Sequence, residues 1–171
     1  MVLWIIGLSG AGKTTLANEI VAKVRESKTN VVLVDGDIIR ETLGNDLGHT
    51  LKDRRQNADR ICSLCKFLDD QGIHVVCAIL SIFSESRRWN RENITNYYEV
   101  FIDISIEDLL IRDPKGIYKK YQTGEIFNVA GLDMKFPRPQ NSDLIIQNSK
   151  SIKELLHHAD FLSEKLIVSH P

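Results

Sequence analysis

The sequence predicts a single three-layer α/β sandwich, with a parallel sheet held between two layers of helices. Short β-branched runs alternate with helical stretches along the whole chain. Several of those runs are continuously apolar, as parallel strands covered on both faces must be. At 171 residues the chain fits one domain and can bury a substantial core.

Val2–Ile6 reads as the first strand, and Val31–Val34, Ile73–Ala78, Tyr98–Ile102 and Leu144–Ile146 follow it. Helices are expected near 13–26, 54–70, 86–96, 105–111 and 151–166. The helical period is clearest from Asn57 to Gln71. Ser151 followed by Glu154 carries the capping-box signature for the last helix. There is no repeat and no low-complexity segment. Asp113–Ser142 is the one long irregular stretch, and it holds all but one of the chain's four prolines. A stretch of that length inside a compact domain is expected to be functional, here a mobile lid over about 112–140.

Hydrophobic residues make up 43% and charged residues 26% of the chain, a soluble globular balance. The formal net charge of −1 supplies no global field to recruit nucleic acid or an anionic membrane. Any anionic ligand therefore needs a local constellation. The longest apolar runs are strand-length, so no transmembrane helix is expected. The start MVLWIIGLSG lacks a basic leader and a cleavage site, and three cysteines fit a reduced compartment. Cytoplasm is the expected location. Cys62 and Cys65 form a C-x-x-C, but Ala58, Ile61, Cys62, Cys65 and Leu68 recur at helical spacing. That pattern reads as a buried stripe rather than a redox or zinc motif.

Gly7-Leu8-Ser9-Gly10-Ala11-Gly12-Lys13-Thr14 matches G-x-x-x-x-G-K-[ST] between a strand and a helix. Glycines in this pattern let backbone N–H groups converge on a β-phosphate, and the helix N-terminus adds its positive dipole end. ATP is therefore expected on Gly7, Ser9, Gly10, Ala11, Gly12 and Lys13, with Thr15 beside them. The Thr14 hydroxyl is placed to ligate Mg²⁺. A guanine-reading N-K-x-D is absent, and the chain is too short for a motor.

The second strand ends in Val34-Asp35-Gly36-Asp37. Strand C-termini in such sheets face the ligand crevice, so both carboxylates are expected beside the phosphates. One, Asp35, would act on Mg²⁺ through water; the other, Asp37, would orient or deprotonate an attacking hydroxyl. The competing reading is a simple Asp-Gly turn. Arg40, Arg54, Arg55 and Arg60 follow, and guanidinium forks suit an acceptor bearing phosphate or sulfate. Arg112, Lys115, Lys119 and Lys120 cluster at the start of the irregular stretch. Lid cations of this kind neutralise charge during phosphoryl transfer; a solvated helix face is the alternative.

Taken together, GLSGAGKTTLA, VDGDIIRETLGNDLG, DRRQNADR, RDPKGIYKKYQTGEI and NSDLII resemble the adenylylsulfate kinase family. Its members phosphorylate the ribose 3′-hydroxyl of adenosine 5′-phosphosulfate. The resemblance covers nearly the whole chain, and RDPKGIYKK is more specific to the family than the phosphate loop. It implies a doubly wound nucleotide-kinase fold, ATP with Mg²⁺, a nucleotide acceptor and a homodimer. It also implies that Arg112 meets ATP. Asp37 would lie near the acceptor hydroxyl, with Arg40, Arg54 and Asn57 holding the acceptor. Leu80 and Ser81 would line its pocket, and Lys115 and Asn128 would belong to the lid.

The chain departs from the family pattern at three places. Leu47-Gly48-His49 stands where the family reads L-G-F, and Asn128-Val129-Ala130-Gly131 stands for N-F-T-G. Those two family phenylalanines sandwich the acceptor's adenine; here the pair is His49 and Val129. The third departure is the start at the first strand, without the N-terminal segment most members carry. Members with short N-termini occur in surface-polysaccharide pathways, where one phosphorylates cytidine 5′-diphosphoramidate. That acceptor stands beside adenosine phosphosulfate as an expectation. A catalytically silent nucleotide-binding module and a kinase for a sugar acid are the readings from other classes. The intact phosphate loop and DGD sequence oppose the first; RDPKGIYKK and DRRQN oppose the second.

Overall fold

The computed structural model describes residues 1–148 and 151–169. Its elements run β1 (Val2–Ile6), α1 (Lys13–Glu26), β2 (Val31–Asp35), α2 (Gly36–Thr42), α3 (Leu51–Asp70), β3 (His74–Ile79), α4 (Ser84–Asn93), β4 (Tyr97–Asp103), α5 (Ile106–Arg112), α6 (Ile117–Gln122), β5 (Leu144–Gln147) and α7 (Ile152–Val168). The sheet order is β2-β3-β1-β4-β5, and every neighbouring pair is parallel. This is the predicted sandwich. No helix among the described residues is long and apolar enough to cross a membrane.

The continuous apolar run of β1 resolves into two alternating faces, as the period of two requires. Leu3 and Ile5 pack with Leu16, Ile20, Leu162 and Leu166 of α1 and α7. Val2, Trp4 and Ile6 pack with Ile61, Cys62 and Cys65 of α3 on the other side. Burial thus accounts for both cysteines, and loss of hydration pushes the Cys62 thiol up to about 12. At neutral pH that thiol stays protonated and packs as an apolar group.

Two helices were not legible. Asp35-Gly36-Asp37 is not a turn but the start of α2: the Asp35 carboxylate caps the helix by accepting from Asp37 N at 2.9 Å. An Asx turn and an N-cap use the same side-chain-to-backbone bond, so the dipeptide alone does not separate them. The irregular stretch in turn contains α6. The Asp113 carboxylate accepts from Tyr118 N and Lys119 N at 3.2 and 2.9 Å, which starts a helix too short to show a period. The capping box at α7 is a correction of the opposite kind. Ser151 is the N-cap residue, but its side chain makes no capping hydrogen bond. Finally, α3 begins at Leu51, because Thr50 caps it by accepting from Asp53 N.

Candidate active site

The loop from β1 to α1 has the geometry of an anion cradle. Gly10 and Gly12 hold φ of 78° and 97°, the left-handed region where a Cβ is costly. Gly12 is the N-cap of α1, no side chain caps that helix, and its first turn holds no acidic residue. The first N–H groups of α1 are thus left for an external anion. Lys13 Nζ donates to Leu8 O at 2.8 Å across the loop. Loss of hydration, then repulsion from Lys115, lowers the Lys13 pKa to about 8 against the opposing pull of Asp37 and Asp35. A bound phosphate reverses that penalty by pairing the ammonium.

Two contacts from distant chain segments hold this loop. Asn148 Nδ2 donates to Ala11 O at 2.9 Å, and the Tyr118 hydroxyl donates to Ser9 O at 2.8 Å. A Cβ on Gly12 would lie 2.6 Å from Leu155 Cδ2 and 3.3 Å from Asn148 Nδ2. Gly12→Ala is therefore expected to destabilise the protein by about 2 kcal/mol or more, from left-handed strain and overpacking together. Denaturant unfolding reads that loss, and ATP affinity should fall with it.

The strand ends bring the carboxylates in. Asp35 is 8% exposed, and its Oδ2 accepts from the Thr14 hydroxyl at 2.7 Å. These two hard oxygens side by side suit Mg²⁺, which takes one or two protein oxygens and completes its shell with water and phosphate. Asp37 faces solvent at the head of α2, and its Oδ2 lies 3.0 Å from Lys115 Nζ. Burial works to raise the Asp37 pKa, but the Lys115 hydrogen bond and charge, with Lys13 and Arg40, outweigh it and hold the carboxyl below its ordinary range.

A cavity of about 50 Å³ opens beside Asp37, and Arg40, Arg54, Asn57, Leu80, Ser81 and Phe83 are among its lining residues. Two buried polar atoms in this wall, Arg40 Nε and Asn57 Oδ1, have no hydrogen-bond partner. Asn57 Nδ2 donates to Gly36 O at 3.1 Å, which fixes the amide with its oxygen free. The wall thus offers one donor and one acceptor to a ligand. A larger cavity of about 420 Å³ lies at the end of β4 under residues 131–138, but it has no such unpartnered buried atom among the described residues.

Arg54 ties the mouth of the smaller cavity together. Its Nε donates to His49 O and its Nη2 to Asn128 O, each at 3.0 Å. His49 is exposed there; loss of hydration, then Arg54 and Arg40, lower its imidazole pKa. Val129 is 5% exposed, and its side chain belongs to the buried apolar core on the α1 and α7 side of the sheet. Arg55 pairs with Glu85 and lies over the ring of Phe83, which lines the cavity, while Arg60 pairs with Asp46 away from it. Arg112 ends α5, half-buried, while Lys119 and Lys120 are exposed on α6.

Sequence reasoning passed over several residues of this assembly. Ser81 sits at φ 52°, with its hydroxyl accepting from Trp4 Nε1 and its carbonyl from Arg87. Trp4 belongs to a strand core and Arg87 to an ordinary helix, so neither carries a motif. Asp133 fixes the backbone at Asn128 and Val129 by accepting both N–H groups. Asn148 gave a signal that was available, a polar residue just beyond a strand's C-terminus.

A phosphate loop opening α1, a metal-suited oxygen pair and an adjoining carboxylate beside a polar cavity define a P-loop phosphotransferase. The family model for adenylylsulphate kinase matches residues 1–147. The chain belongs to that family. It is 38% identical over 151 residues to a cytidine diphosphoramidate kinase from Campylobacter jejuni, covering 86% of each chain. It is 36% identical over 171 residues to an adenylyl-sulfate kinase from Halothermothrix orenii, covering 99% of this chain and 92% of that one. Among solved structures, the Mycobacterium tuberculosis APS kinase CysC in complex with AMPPNP and APS superposes with a TM-score of 0.87. That match is 33% identical and covers 97% and 96% of the two chains.

Proposed function

We propose that this kinase transfers the γ-phosphoryl group of ATP to the ribose 3′-hydroxyl of a nucleotide whose 5′ end carries a further acidic group. The observation that carries the reading is Asp37, poised between the phosphate loop and a cavity with unpartnered Arg40 and Asn57 atoms. In this reading the hydroxyl donates its proton to Asp37 as its oxygen bonds to the γ-phosphorus. The bond from that phosphorus to the bridging oxygen breaks, and ADP leaves. Lys13 and the α1 N–H groups stabilise charge on the phosphates. Thr14 and Asp35 would hold Mg²⁺, which when bound neutralises charge on the β- and γ-oxygens. Arg40, Arg54 and Asn57 hold the acceptor, with Leu80 and Ser81 as its wall. Residues from Arg112 to about 140 close as a lid, so that Lys115 exchanges Asp37 for substrate.

Adenosine 5′-phosphosulfate is the first acceptor to consider, since most of the relatives named above act on adenylyl sulfate by name. Cytidine 5′-diphosphoramidate is the second reading, favoured by one observation. Val129 is turned into the core and offers no face to an adenine. Coupled ADP-release assays run side by side with both acceptors test the proposal. Turnover of one supports a nucleotide kinase and names its acceptor; turnover of neither overturns it.

A further inference from the structure

Phe127 is 69% exposed, and the roles given above do not use it. A single exposed aromatic is ordinary on a protein surface, so its placement has to carry the argument. Residues two apart in extended backbone share a face. Here Asn128 intervenes at φ 63°, and Asp133 pins it there through the Asn128 and Val129 N–H groups, at 2.8 and 2.6 Å. The left-handed residue turns its neighbours apart, leaving Val129 in the core and Phe127 outside it.

Asn128 O is also where Arg54 anchors this segment to the cavity mouth, and the same guanidinium holds His49 O. The cavity itself is about 50 Å³. Sites that enclose a whole drug-sized ligand run to roughly 300–1,000 Å³. Its interior therefore suits a pentose or an acidic group, which leaves a base at the mouth, where Arg54 joins the loops of His49 and Asn128. The other exposed large aromatics, Phe67, Trp89 and Phe161, sit on α3, α4 and α7.

Resting on the nucleotide-kinase reading, we infer that the Phe127 ring is the stacking face for the acceptor's base and so a specificity-determining residue. Purine and pyrimidine both present a π-face, and a flat apolar ring binds either by excluding water. The test measures kcat and both KM values for wild type, Phe127→Ala and Phe127→Tyr, with whichever of adenosine 5′-phosphosulfate and cytidine 5′-diphosphoramidate the wild type phosphorylates. Phe127→Ala is expected to raise the acceptor KM about tenfold or more. It should leave the ATP KM and the melting temperature unchanged, and Phe127→Tyr should stay close to wild type. An acceptor KM within about twofold of wild type for Phe127→Ala overturns the assignment, as does an equal rise in the ATP KM. A wild type that phosphorylates neither acceptor instead overturns the nucleotide-kinase reading, and the stacking role goes with it.

Discussion

Lys13→Met is expected to lower kcat by about a hundredfold to a thousandfold, the usual effect of removing one donor aimed at developing charge. Methionine keeps the length and apolar stem of the side chain but supplies no ammonium to the phosphates. The fold should survive, because the charge is poorly accommodated while no phosphate is bound. Its pKa is lowered to about 8, chiefly by desolvation, against an ordinary lysine value of 10.5. The sign follows from linkage: the unfolded chain binds this proton more tightly than the folded protein does. The charge therefore opposes folding at neutral pH, and the opposition fades as pH rises from about 8 toward 10.5. Lys13→Met should consequently melt at or above the wild-type temperature in the absence of nucleotide. With saturating ATP the order should reverse, since wild type gains more from binding. Near-normal turnover in the variant would remove Lys13 from the chemistry. A large loss of nucleotide-free stability would show that the Leu8 O contact is structural.

The parts of this site that were legible are those whose chemistry depends on residue type at fixed local spacing. Gly10, Gly12, Lys13 and Thr14 lie in one short stretch, and a strand before and a helix after are enough to give them a geometry. The strand positions were legible for a related reason, since continuous apolar runs leave little choice about burial. What stayed hidden depends on partners far along the chain. Asn148 reaches Ala11 across 137 residues, and Tyr118 reaches Ser9 across 109. Ser81 combines a left-handed backbone with hydrogen bonds from Trp4 and Arg87, and a lone serine announces no such strain. Val129 shows the other limit. A position known by its place in a motif was expected at the acceptor, yet one left-handed residue before it sends the side chain into the core.

Asp37→Asn is the second large effect, a fall in kcat of about a hundredfold to ten-thousandfold, as for loss of a positioned general base. The substitution is close to isosteric and removes the carboxylate's charge and basicity together. Stability should barely change, because among the described residues the one ion pair lost is with Lys115, and both side chains are more than half exposed. Pairs of that kind contribute about 0–1 kcal/mol. The ATP KM should also hold, since Asp37 lies on α2 and its side chain makes no hydrogen bond to the phosphate loop among the described residues. Asp35 makes the contrast that gives the experiment its force. Its carboxylate caps α2 and accepts from Thr14, so Asp35→Asn should disturb stability and ATP binding as well as turnover. A split of this form, kcat alone for Asp37 and all three quantities for Asp35, is what the two positions predict. If Asp37→Asn keeps most of its kcat, the hydroxyl is oriented by something else, and Lys115, Lys13 and Arg40 are the cations that act on this position.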